Sequence, residues 1–181
     1  MDITIKITIT GSAVFAFFTV LWKIIAVIRK RYYLNDVELI SLCKKSRNRT
    51  LTPKKREEIL DKISARLGKG VNVNSLDGKE RTALIIASAG GNDNLNLVEL
   101  LLDKQPRYFR WLRRIDAQDR RGNTALILAS RFGSYKIVKA LLDAGANVNA
   151  KNGKGWTALR RAEKHGYSET ARILREHGAH L

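Results

Sequence analysis

The chain has 181 residues, 44% of them hydrophobic, enough for one modest domain with extensions. Lysine and arginine outnumber aspartate and glutamate by 34 to 17, a formal charge of +17 that favours anionic partners such as lipid headgroups or nucleic acid. A single cysteine, Cys43, excludes an internal disulfide framework and is compatible with a reducing compartment without requiring one.

Residues 7–28 read ITITGSAVFAFFTVLWKIIAVI and carry one charge, Lys23. As a helix they would reach about 33 Å, enough for a hydrocarbon core of about 30 Å. The run is therefore expected to be a single transmembrane helix. Lys23 lies close enough to the end of the run for its stem to snorkel to the interface. Arg29, Lys30 and Arg31 follow the apolar run, and this basic side stays cytoplasmic, leaving a short external N-terminus. A cleaved signal peptide, a buried helix and a helix lying in the interface are the alternatives; the first fits poorly because the basic cluster follows the apolar run.

From residue 32 to 69 the chain is basic and helical. Val37, Leu39, Ile40 and Leu42 mark one short helix; Ile59, Leu60, Ile63 and Leu67 mark a second that starts after Thr52-Pro53. Between them, Lys44-Lys45-Ser46-Arg47-Asn48-Arg49 and Lys54-Lys55-Arg56 form a basic loop suited to acidic lipid or simply to solvent. The segment reads as a juxtamembrane stretch with degenerate capping helices.

A looser unit follows, with Asp77, Thr82, Leu84, Ala87 and Gly91 at the offsets that Asp119, Thr124, Leu126, Ala129 and Gly133 repeat. It carries extra residues near Asn92 to Asn96 and in Gln105 to Gln118. The second insertion interleaves Tyr108, Phe109 and Trp111 with four arginines, a mixture suited to a membrane interface, an acidic peptide or single-stranded nucleic acid; an elongated helix end is the plainer reading.

The last two units match closely. Asp119-Arg120-Arg121-Gly122-Asn123-Thr124-Ala125-Leu126 returns as Asn152-Gly153-Lys154-Gly155-Trp156-Thr157-Ala158-Leu159, with Thr124 and Thr157 standing 33 residues apart. Ala129, Gly133, Leu141 and Gly145-Ala146 recur at the same spacing. Such a period marks a stacked helical array. Within a unit, Thr124 can cap a first helix, Gly133 can end it with a positive φ, and Ile137, Val138, Leu141 and Leu142 form the apolar stripe of a second. Neither helix is long enough to be stable alone in water, so stacked neighbours must supply the burial.

These residues resemble the ankyrin repeat family, whose units read Asp-x-x-Gly-x-Thr-Pro-Leu-His-x-Ala, then Gly, then Leu-Leu-x-x-Gly-Ala; the resemblance covers residues 70–181. Ala83, Ala125 and Ala158 stand where the family carries Pro, and Ile85, Ile127 and Arg160 where it carries His. The resemblance implies an all-α, ankyrin-type helix–turn–helix solenoid. It would have about three repeats (77–118, 119–151 and 152–181) behind a degenerate N-terminal cap, with the transmembrane helix ahead. It further implies that Arg120, Arg121 and Lys154 sit on finger tips. Arg131, Phe132, Lys164 and His165 would line the concave face, with Trp156 and Arg160 beside it.

Catalytic chemistry has no visible carrier: no phosphate loop, no paired cysteines, and histidines only at His165, His177 and His180. No enzyme activity, cofactor or metal is expected; a polar C-terminal cap accounts for the histidines better than a metal site at His177 and His180. The candidate partner-binding residues are Arg120, Arg121, Arg131, Phe132, Lys154, Trp156, Arg160 and Lys164. The candidate membrane-interface residues are Lys23, Arg29, Lys30, Arg31, Tyr108, Phe109 and Trp111. The reading that joins them is a membrane-anchored adaptor whose cytoplasmic repeats hold an acidic protein segment. The alternative is a soluble or peripheral basic protein of the same fold that associates with nucleic acid or anionic lipid.

Overall fold

The computed structural model describes residues 23, 37–48, 50–69, 71–104 and 114–180. The chain divides into two compact units, Met1–Leu34 and Asn35–Leu181. Of the first, only Lys23 is described, as an exposed helical residue. Apart from Lys23, the apolar run 7–28 lies outside the described residues. No helix among those described is long and apolar enough to cross a membrane.

The second unit is helical throughout, with no strand among its described residues. Residues 37–46 form α1 and Pro53–Leu67 form α2. Three helix pairs follow: α3 (Ala83–Ser88) with α4 (Leu95–Asp103), α5 (Ala125–Arg131) with α6 (Tyr135–Asp143), and α7 (Ala158–Lys164) with α8 (Ser168–Glu176). Each pair starts the same way. Thr82, Thr124 and Thr157 adopt extended backbone, and each hydroxyl accepts from the amide three residues on, at 3.2 Å in all three cases. One orphan donor per helix is thereby satisfied, a contribution of about 1 kcal/mol each.

The first helix of a pair ends on a left-handed residue. In the second pair Phe132 caps α5, Gly133 takes φ +66°, and Ser134 donates back to the Ala129 carbonyl at 3.0 Å. Glycine is required here twice over, since an added Cβ would also stand 2.6 Å from the Tyr167 ring of the next pair. The second helices bury one stripe each: Ile137, Val138, Leu141 and Leu142 in α6, and Ala171, Ile173 and Leu174 in α8. The buried faces of all three pairs join the apolar side of the cap in one core. A fully buried leucine such as Leu141 contributes roughly 1.5–3 kcal/mol, which is how helices of nine residues or fewer become stable.

The cap docks through a different device. The two-residue excess near Asn92 is a short 3-10 turn, Asn92–Asn94, that buries Asn94. Its side-chain amide donates to the Ala87 carbonyl at 3.1 Å and to Ser46 Oγ at 3.4 Å, and its Oδ1 accepts from Arg56 Nη1 at 3.1 Å. Arg56 also reaches the Ser46 carbonyl and Asp93. One arginine of α2 thus ties α1 to the first helix pair. Within α1 the apolar face is shifted from the expected one: Leu39, Ile40, Leu42 and Cys43 are buried, whereas Val37 is exposed. Cys43 lies on the same buried face as Leu39 and Ile40, about 120° from Val37 round the helix.

Candidate binding groove

Ahead of each helix pair the chain makes a finger, and the three fingers share one set of bonds. Asp77, Asp119 and Asn152 each accept, through one side-chain oxygen, from the backbone amides two and four residues on, at 2.8–3.0 Å. Each backbone amide also donates to the carbonyl four residues ahead, from Asp77 to Arg81, Asp119 to Asn123 and Asn152 to Trp156. A short polar side chain at this position is what folds the turn. The third residue after it is left-handed: Gly122 at φ +75°, Gly155 at +71°, and in the first finger Glu80 at +61°.

Neighbouring fingers join through main chain. The Arg120 amide donates to the Lys79 carbonyl at 3.2 Å and the Gly153 amide to the Arg121 carbonyl at 3.0 Å. Below the tips, the buried Asn152 amide donates to Asn123 Oδ1 at 2.8 Å. Gln118 reaches the Lys151 carbonyl, and Asp116 accepts from the Asn147 amide at 2.9 Å. These finger and lead-in groups link the units, away from the positions where Ala, Ile and Arg stand in place of the Pro and His of the pattern recognised in the sequence.

Aligned fingers put their charges in a row. A groove of about 450 Å³ is lined by six cationic side chains, Arg47, Lys79, Arg81, Arg120, Arg121 and Arg131, against one carboxylate, Asp119. Its apolar wall is Ala89, Leu128 and Phe132. Two of the cations are engaged: Arg81 grips Asp77 at 2.7 and 3.1 Å, and Arg120 comes within 3.5 Å of Glu80. Among the described residues, Arg47, Lys79, Arg121 and Arg131 have no carboxylate at ion-pair distance. Asp77 is held well below the usual carboxylate range: burial pushes it up, but the hydrogen bonds from Arg81 and from the Lys79 amide, with the Arg81 charge, outweigh that. Burial and then the like charge of Arg81 pull Arg47 below the ordinary arginine value, and its Nε has no hydrogen-bond partner.

A second cluster adjoins Arg131. Arg161, Lys164 and Arg160 place their charges 4.3, 4.5 and 5.0 Å from the centroid of the Trp156 ring. Cation–π attraction holds three like charges round one indole, each contact giving about 0.5–1 kcal/mol. Arg161 is half-buried, its Nε has no hydrogen-bond partner, and burial followed by the Arg131 charge pulls its pKa down. Arg131 belongs to both places, lining the groove and acting on Arg161.

Of the residues selected from sequence, Arg120, Arg121, Arg131 and Phe132 meet in the groove, while Trp156, Arg160 and Lys164 form the adjoining cluster. Lys154 is exposed on the third finger and lines neither place, and His165 is exposed, stacked on Tyr167 at 6.0 Å. Arg29, Lys30, Arg31, Tyr108, Phe109 and Trp111 lie outside the described residues. Sequence reasoning missed Lys79, Arg81, Arg161 and Arg47. Aligning Asp77 with Asp119 puts Lys79 opposite Arg121, a signal that was present; Arg47 comes from the cap loop, which has no counterpart to align.

The Cys43 thiol is buried and pushed up to about 12, so it is not a thiolate at neutral pH. Among the described residues no three His, Cys, Asp or Glu side chains are grouped to hold a metal ion.

The repeating finger, threonine-capped helix and glycine turn agree with a direct comparison. A family profile described as ankyrin repeats in three copies matches residues 54–152 and 110–181. The chain belongs to the ankyrin repeat family. Ankyrin repeats generally act as non-enzymatic scaffolds for protein partners. The repeat region is similar to a transient receptor potential cation channel subfamily A member 1 homolog of Caenorhabditis elegans, 35% identical over 113 residues, 62% of this chain and 9% of that protein. It is also similar to ankyrin repeat and SAM domain-containing protein 6 of Mus musculus, 43% identical over 89 residues, 49% of this chain and 9% of that protein. A third relative, protein phosphatase 1 regulatory subunit 12A of Mus musculus, is 43% identical over 53 residues, 29% of this chain and 5% of the relative. This ankyrin chain therefore spans less than a tenth of the length of each of these relatives.

Proposed function

We propose that the protein is a membrane-anchored ankyrin-repeat adaptor that captures an acidic segment of a protein partner in its basic groove. The observation that carries the capture is the excess of six cationic side chains over one carboxylate in a groove with an apolar wall. Exposed single charges contribute little to affinity, but arginines gathered in a concave site beside an aromatic ring are favoured recognition residues. The relatives whose names speak of a phosphatase regulatory subunit and of SAM domains support a role in assembling proteins.

The anchor rests on the sequence: an apolar run of bilayer length followed by Arg29, Lys30 and Arg31, which favours repeats on the cytoplasmic side. Anchoring raises the effective concentration for partners on the same membrane. Two experiments separate the parts. Replacing Arg131, Arg160 and Lys164 with Glu should abolish partner capture from detergent extracts, and unchanged partners would remove this face from consideration. Alkaline carbonate extraction and protease protection of a C-terminal tag test the anchor. Release by carbonate would shift the reading to a peripheral or soluble basic protein, which the +17 charge would then direct to nucleic acid or anionic lipid, with steep salt dependence.

A further inference from the structure

We infer that the groove reads phosphorylation: the cationic cluster shared by Arg131, Arg161 and Trp156 receives a phosphoryl group on the partner segment. This rests on the groove being the partner site, and it specifies what that site prefers.

Arg131, Arg160, Arg161 and Lys164 lie in one neighbourhood and, among the described residues, none has a carboxylate within ion-pair distance. Glu163, the acid on the helix that carries Arg160, Arg161 and Lys164, is bonded to Arg175 instead. A single aspartate or glutamate would offset one of these charges and leave the others facing one another. A phosphate monoester brings about −1.5 to −2 at neutral pH and three acceptor oxygens, matching two guanidinium forks at once.

Arg161 lies over the indole at 4.3 Å, so the guanidinium is already oriented. Ordering an arginine is a main cost of phosphate recognition, and stacking on Trp156 bears it before the ligand arrives.

Two other polyanions fit less well. A bilayer presents its phosphates on a broad surface, whereas Arg131 opens into a groove walled by Leu128 and Phe132, which suits a narrow extended chain. Single-stranded nucleic acid binds by stacking bases on exposed aromatic faces. Here three cations surround Trp156, and Arg131 lies 5.7 Å from the Phe132 centroid. A phosphorylated peptide needs neither a flat surface nor a free ring.

The test uses the full chain reconstituted in uncharged phosphatidylcholine vesicles and three fluorescent pools of degenerate peptides, with a fixed central phosphoserine, glutamate or serine. Phosphatidylinositol bisphosphate vesicles and oligothymidylate serve as competitors. The phosphoserine pool should bind about tenfold tighter than the glutamate pool, in line with bidentate charge-assisted bonds. Arg131→Lys with Arg161→Lys keeps both charges and should bring the ratio of phosphoserine to glutamate affinity down to about one; an unchanged melting curve shows that the variant folds, and a retained tenfold ratio would overturn the inference. Equal affinity for the phosphoserine and glutamate pools would overturn the phosphate inference and leave the acidic-segment reading standing. No binding of either acidic pool would overturn both. Tighter binding of the competitor vesicles or oligothymidylate than of the phosphoserine pool would also overturn it and assign the cluster to that polyanion.

Discussion

The two ends of the repeat domain solve one problem by different means. Between the second and third helix pairs, units meet through several contacts: a finger amide-to-carbonyl bond that recurs between the first and second fingers, Asn152 to Asn123, and Gly133 under Tyr167. Between the cap and the first pair the shared core is joined by a branched network, Arg56–Asn94–Ser46, built on a turn that no other described unit possesses, and by the Lys44–Asp77 ion pair. The recurring joint shares its hydrogen bonds among many small contacts, several of them main chain. The unique joint routes most of its hydrogen bonds through one side chain, Arg56. A stack of this kind has stability set by its units and their interfaces, so the N-terminal joint is where opening should begin.

Gly122→Ala strikes the recurring joint hardest. The new Cβ would stand 2.5 Å from the Gly153 amide nitrogen at a φ of +75°, and backbone cannot move aside as a side chain can. A loss of about 3 kcal/mol is expected from urea unfolding; a loss below the experimental error would mean that the fingers separate without cost.

Arg56→Ala tests the unique joint. It leaves Asn94 Oδ1 and the Ser46 carbonyl without this donor and should cost about 2 kcal/mol, largely in the cap. Cys43 reports where the loss falls, being buried on α1 with its thiol raised to about 12. Thiol labelling should accelerate about tenfold or more in this variant while hydrogen exchange in α6 and α8 stays unchanged. Equal acceleration everywhere would show the cap and repeats opening together.

A smaller effect separates the fingers by pH. The folded pKa of Asp77 lies below its unfolded value, so its contribution is fully present above about pH 4 and is lost as pH falls through the acid range. Asp77→Asn keeps an acceptor for the Lys79 and Arg81 amides, as Asn152 does in the third finger, but removes the charge facing Arg81 and Lys44. Acid titration of the variant should be flatter below pH 4. A variant that matches the parent there would assign the acid loss to other carboxylates.

The smallest change should stabilise. Glu80 occupies the left-handed position that Gly122 and Gly155 fill in the other fingers, and Glu80→Gly should raise stability by about 1 kcal/mol, since its contact with Arg120 is exposed and long. A decrease would show that the contact outweighs the backbone strain.

The same contrast explains what could be read from sequence. Threonine caps, the glycine turn and the α6 stripe are local devices, so Thr124, Gly133 and Leu141 announce themselves by type and spacing and recur where expected. The joint at Arg56 and Asn94 depends on residues 38 apart in sequence meeting in space, and a unique pair leaves no periodic trace. The binding groove divides likewise. Arg120, Arg121 and Arg131 follow from the register, whereas Arg47 reaches the same space from outside any repeat, and Arg161 is set apart by its partial burial and its short approach to Trp156, neither of which leaves a trace in the spacing.

The fingertip bonds carry a last consequence. Arg120 to Lys79 and Gly153 to Arg121 are amide-to-carbonyl links, indifferent to the side chains that bear them. Residues 79, 120, 121 and 154 can therefore exchange charge, size and polarity while the spacing between fingers stays as it is. Specificity in this protein is detachable from architecture: a descendant could acquire a new partner by rewriting a few fingertip letters, with no renegotiation of the scaffold that displays them.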